Sequence, residues 1–153
     1  MDRRGRFAAF TGADCVDWCG HLIRDAFSVA GNMLAGPAVI EATAEALEAK
    51  AARPFAQRLI AALKAGEAAG GDKRGKQSAA LLIHATEDYP ALSLRVDDHA
   101  DPLAELTRLE QVSRERFVHF ARFFATRDDP SGTYDRDVIN AAIEAAVAKE
   151  GTS

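Results

Sequence analysis

The densest concentration of chemistry-bearing side chains is Gly70-Gly71-Asp72-Lys73-Arg74-Gly75-Lys76-Gln77-Ser78, which runs straight into the apolar segment Ala79-Ala80-Leu81-Leu82-Ile83. The glycines free the backbone for positive φ, and among them stand an acid, two flexible cations and a guanidinium. In such a loop Asp72 can orient Lys73 or Arg74, and the cation can hold a carboxylate or carbonyl oxygen of a small ligand, Arg74 in bidentate fashion. The same residues suit a glycine-rich helix stop in which Asp72 accepts backbone hydrogen bonds and the basic side chains are solvated. For Asp72 and Arg74 both readings stand, whereas Lys73 and Lys76 fit the solvated one better. Gln77, first in an apolar run, either offers its amide to a ligand or satisfies the loop, and the second role is favoured.

Further candidates lie upstream. Asn32 follows Gly31 where an extended segment gives way to a helix, so it can line the mouth of a cleft or cap the turn into Gly36-Pro37. His21, after Gly20, has the titration range of a general acid or base, although a lone histidine at a strand start is more often structural. His99 follows Asp97-Asp98, but no further ligand at regular spacing supports a metal there, and neither a metal nor a cofactor is expected. Cys15 and Cys19 lack the second pair, or the histidines, that a zinc site needs, and read as two unlinked thiols.

These residues need a scaffold, and 153 residues with 48% hydrophobic and 27% charged side chains suffice for one domain over 1–153 with its own core. The net charge of −4, with both signs interspersed, gives no field favouring nucleic acid or an anionic membrane. No apolar run is long enough to span a bilayer and no signal-peptide core follows the charged start, so a cytoplasmic location is expected.

The element pattern is α+β. Residues 6–11 read as a short strand ending at Gly12-Ala13-Asp14, and residues 21–29 as one extended segment. Pro37 and Pro54 each open a helix, the first with Val39, Ile40, Thr43 and Leu47 inward, the second with Phe55, Leu59, Ile60 and Leu63 inward and a stop at Gly70-Gly71. A short linker over residues 50–53 makes them an antiparallel pair on a sheet. Residues 77–86 read as a central strand covered on both faces, and 91–97 as an alternating strand paired to it through Glu87-Asp88-Tyr89-Pro90. One long helix is expected from Pro102, capped by Asp101, through Leu103, Leu106, Leu109, Val112, Phe117, Phe120 and Phe124. After a break at 128–132, a last helix over 135–149 turns Val138, Ile139, Ala142, Ile143 and Val147 inward, and 150–153 should fray.

Three segments together resemble a known family: Gly31-Asn32-Met33-Leu34-Ala35-Gly36, then Ala69-Gly70-Gly71-Asp72-Lys73-Arg74-Gly75 with Gln77-Ser78-Ala79-Ala80-Leu81-Leu82, then Leu94-Arg95-Val96-Asp97-Asp98-His99. Thr11-Gly12, Cys15, Trp18 and Gly20-His21 fit its preceding portion. On these residues the chain is similar to the bacterial domain of unknown function 1028 family, grouped with the N-terminal-nucleophile (Ntn) hydrolases, over residues 5–109, with 110–149 as a helical C-terminal part. The resemblance implies an αββα sandwich, two antiparallel sheets between helix layers, with amide-bond hydrolysis of a small molecule as the ancestral chemistry. It raises the ligand-binding reading of Asp72, Arg74 and Asn32. Ntn hydrolases use a Ser, Thr or Cys at the chain's own amino terminus, and family members carry a strand-rich segment ahead of this region. The start at Met1-Asp2 therefore makes the chain resemble the carboxyl-terminal two thirds of a member, incomplete at its N-terminus and not catalytically complete by itself. Exposure of Thr11, Cys15 or Cys19 by internal cleavage has little to support it. A sheet lacking those strands has an open edge, which predicts a homodimer or higher oligomer. A non-catalytic small-ligand-binding or assembly module on the same scaffold is the alternative.

Overall fold

Residues 1–49 and 53–150 are described by the computed structural model. The linker expected over 50–53 and the fraying expected at 150–153 lie, but for Arg53 and Glu150, outside the described residues. The chain is of mixed α+β class and divides into two units, residues 1–78 with 97–103, and 79–96 with 104–153.

The first unit holds two strands and two helices. Strands β1 (Gly20–Ile23) and β2 (Ser28–Gly31) pair antiparallel, His21 opposite Ala30. The single extended segment expected over 21–29 is thus a hairpin, closed where the Arg24 N–H donates to the Phe27 carbonyl at 2.9 Å. Neither face of that segment is uniformly apolar, and a local turn satisfies backbone groups that a longer strand would need a neighbour to satisfy. Residues 6–11, expected as a strand, form no regular element.

Helix α1 (Ala38–Ala49) begins just after Pro37 and buries Val39, Ile40, Ala44 and Leu47. It packs on both hairpin strands and on α2 (Phe55–Ala68). The Arg58 guanidinium donates to the Leu47 carbonyl at 3.0 Å, while at the opposite end Gly66 lies against Thr43 and the Val39 carbonyl, so the helices run antiparallel. The close approach at Gly66 leaves no room for a side chain, and the inward face of α2 is Ile60, as expected, with Ala62 and Gly66 in place of Phe55 and Leu63. Phe55 and Leu63 are 53% and 40% exposed.

In the second unit β3 (Ala79–His84) and β4 (Pro90–Val96) form an antiparallel pair, Leu81 opposite Leu94, with a register shift between Ile83 and His84. Leu92 and Val96 are buried, in keeping with the alternation of their strand. The apolar run of β3 is not covered on both faces: Leu81 is buried, whereas Leu82 is 58% exposed. A two-stranded sheet has no second layer to fill, so an apolar run does not by itself prove a central position.

The long helix is interrupted. Helix α3 (Pro102–Glu115) ends before Arg116, whose φ of −149° is not helical, and α4 (Phe117–Phe120) and a 3₁₀ turn at Ala121–Phe123 follow. The interruption lets Phe124 gather Tyr89, Phe117 and Phe120 edge-on at centroid distances of 6.2, 6.2 and 5.3 Å. The Tyr89 hydroxyl donates to the Ala125 carbonyl at 2.8 Å, and the Glu87 carboxylate accepts the Arg127 N–H at 3.0 Å. Helix α5 (Arg136–Glu150) is capped by Asp135, whose carboxylate accepts the N–H groups of Asp137 and Val138. It buries Ile139 and Ile143, while Val138, Ala142 and Val147 of the expected stripe face outward. Among the described residues no helix is long and apolar enough to cross a membrane.

Candidate functional site

The Asp72 loop gets its shape from the end of α2. Gly70 (φ 125°) and Gly71 (φ 54°) reverse the chain, their N–H groups donating to the carbonyls of Glu67 and Gly66 at 3.1 Å. A Cβ at Gly70 would come within 2.6 Å of the Ala35 methyl, so only glycine fits. The reversed chain then pairs with the segment after β2. Ala35 N–H donates to Gly71 O at 2.9 Å, Lys73 N–H donates to Met33 O at 2.8 Å, and Leu34 and Asp72 form a β-bridge between them. Met33, at φ 56°, is held in its left-handed conformation from both sides, since its own N–H donates to Val16 O.

Within the loop, one carboxylate organises everything. Asp72 Oδ1 accepts the Arg74 backbone N–H at 2.8 Å and Nε–H at 2.9 Å, while Oδ2 accepts from Nη2 at 2.7 Å. The hydrogen bonds from the Arg74 side chain, then the one from its backbone, hold the Asp72 carboxyl down at about 2, and the same contact raises Arg74. This grip uses the Nε/Nη2 side of the guanidinium. The Nη1/Nη2 edge, with parallel N–H groups, remains as a fork for a carboxylate or carbonyl.

Asp72, Arg74, Lys76 and Gln77 line a cleft of about 560 Å³ with a floor that includes Val39 and Ile40. Gln77 also accepts the His99 N–H on its backbone carbonyl at 3.0 Å. Of the residues singled out in the sequence, Asp72, Arg74 and Gln77 therefore share this cleft, and Asn32, His21 and Lys73 are not among its lining. Lys73 reaches the other way, its Nζ donating to the Asp17 carbonyl at 2.9 Å. His21 Nδ1 lies 2.6 Å from Thr11 Oγ1, an imidazole–hydroxyl pair. Asn32 is exposed beside Met33.

Two charged residues of the cleft were not among the site candidates drawn from the sequence. Lys76 is not simply solvated: its Nζ stands 3.6 Å from Glu67 Oε1 and 3.4 Å from Asp101 Oδ1. Glu67 belongs to the last turn of α2 and joins the cleft because the glycine pair folds the loop back over it, the Glu67 carboxyl lying against Gly71. The only sequence signal was the glycine pair itself. Leu63, half turned out of the helix pair, also lines the cleft.

An α+β chain with a polar, glycine-shaped loop walling a small-molecule-sized cleft is the class that fold and site define. The chain belongs to the family of unknown function DUF1028, whose model matches residues 1–106. It is also similar to a protein from Silicibacter pomeroyi assigned to the same family and known from a crystal structure, with 35% sequence identity and a TM-score of 0.78. That match covers 89% of this chain and 58% of the other, so the chain spans less than two thirds of that relative. A search of curated proteins finds no match.

Proposed function

We propose that the cleft binds a small molecule through a carboxylate or amide carbonyl held by Arg74, and that the reaction served is hydrolysis of a C–N amide bond on an Ntn-hydrolase-like scaffold. The observation that carries the binding step is the open edge of a guanidinium already oriented by Asp72 in the wall of the cleft. A preorganised fork costs less side-chain entropy on binding than a free arginine. The hydrolytic step rests on the three-segment resemblance, in which an N-terminal Ser, Thr or Cys would attack the carbonyl carbon.

The alternative, a non-catalytic binding module, draws support from the charges of the wall. Arg74 is neutralised by Asp72, and Lys76 stands between Glu67 and Asp101, an arrangement suited to reversible capture of a polar ligand. Isothermal titration with short-chain carboxylates and their primary amides tests the binding step, and release of ammonia from the amides tests the reaction. Binding lost in Arg74→Ala and weakened in Arg74→Lys is expected, because lysine has no planar fork. Equal binding by the wild type and Arg74→Ala would remove the basis of the proposal. Ammonia release selects the hydrolase over the module.

A further inference from the structure

The charges lining the cleft balance: Glu67 and Asp72 against Arg74 and Lys76. They are not equally committed. The Asp72–Arg74 contact is short and made by two side-chain hydrogen bonds, 2.9 and 2.7 Å. Lys76 Nζ, in contrast, stands 3.6 Å from Glu67, beyond ordinary hydrogen-bond length, and closer to Asp101 at 3.4 Å. Glu67 is thus the cleft carboxylate whose counter-ion is shared and loosely held. It lines the same cleft as the guanidinium, and its carboxyl group lies against Gly71, the residue before Asp72.

A second cation can therefore replace Lys76 at Glu67 while Lys76 keeps Asp101, and the charge balance of the cleft is preserved if the same ligand brings an anion to Arg74. A ligand bearing only a carboxylate leaves an excess negative charge, and one bearing only an amine leaves the Arg74 edge unused. Beside these polar groups the cleft is lined by Val39, Ile40 and Leu63, a surface for an aliphatic chain. Resting on the reading of this cleft as a carboxylate site, we propose that its ligand is an aliphatic α-amino acid, bound as the zwitterion with its carboxylate on the outer edge of Arg74 and its ammonium on Glu67.

Isothermal titration with L-leucine, isocaproate and isoamylamine separates the parts, because the second is leucine without its amine and the third leucine without its carboxylate. Leucine is expected to bind at least about tenfold more tightly than either. In Glu67→Gln that advantage over isocaproate disappears while isocaproate itself still binds, which also shows that the variant is folded. Equal affinity of the wild type for leucine and isocaproate overturns the zwitterion inference and leaves the carboxylate site standing. Tightest binding by isoamylamine overturns both, as does the absence of binding heat from all three.

Discussion

Asp72 accepts three hydrogen bonds from one residue, Arg74: from its backbone N–H at 2.8 Å, from Nε at 2.9 Å and from Nη2 at 2.7 Å. Backbone and guanidinium of the same arginine are thus fixed by a single carboxylate. Because the folded Asp72 titrates at about 2, below its ordinary 3.8, the grip is fully present above pH 3.8 and is lost as the pH falls toward 2. Carboxyl carbon NMR should place the Asp72 midpoint near 2, and in Arg74→Ala it should return toward 3.8. Asp72→Asn should speed hydrogen exchange at the Arg74 amide at neutral pH. A midpoint near 3.8 in the wild type would contradict the geometry.

Gly66→Ala places a methyl against the Thr43 hydroxyl and 3.3 Å from the Val39 carbonyl, where two helices already touch. Overpacking of this kind costs about 1–3 kcal/mol. Thr43→Ala opens the space, although it also removes the 2.7 Å hydrogen bond from Thr43 Oγ to the Val39 carbonyl. Urea unfolding of both single variants and the double should show coupling, the double being more stable than the sum of the two losses.

Leu106→Ala should be the most damaging of the simple core truncations, since Leu106 is fully buried in α3. Loss of its transfer free energy and the resulting cavity amount to about 2–5 kcal/mol, read as a lower urea midpoint with an unchanged slope.

Tyr89→Phe keeps the edge-on contact with Phe124 and removes only the hydroxyl that donates to Ala125 O. A loss of about 0.5–1.5 kcal/mol is expected. A larger loss with a changed slope would mean that this hydrogen bond holds the 124–127 segment in place rather than merely adding to it.

We also expect self-association, because each two-stranded sheet has strand edges unpaired within it and Leu82 is exposed on β3. Analytical ultracentrifugation at micromolar concentration should show a dimer or larger species that Leu82→Lys weakens. A monomer would overturn the expectation.

What the sequence could determine by itself was whatever depends on near neighbours. Pro37 presets the φ that starts α1, Gly70-Gly71 supplies the positive φ that ends α2, and the alternation of Leu92, Leu94 and Val96 fixes the inward face of β4. The family motif around Asp72 and Arg74 was legible for the same reason, the two residues lying two positions apart. Tertiary structure alone decided the rest. Whether residues 21–29 were one strand or a hairpin depended on which backbone groups found partners. Which face of α2 was buried depended on how closely Gly66 let α1 approach, and no periodicity reports that distance. The break at Arg116 gathers the aromatic side chains around Phe124, a gain that exists only once the chain has turned. The same holds for Lys76, which meets Glu67 and Asp101 from positions that sequence keeps apart and the reversal at Gly70-Gly71 helps bring together.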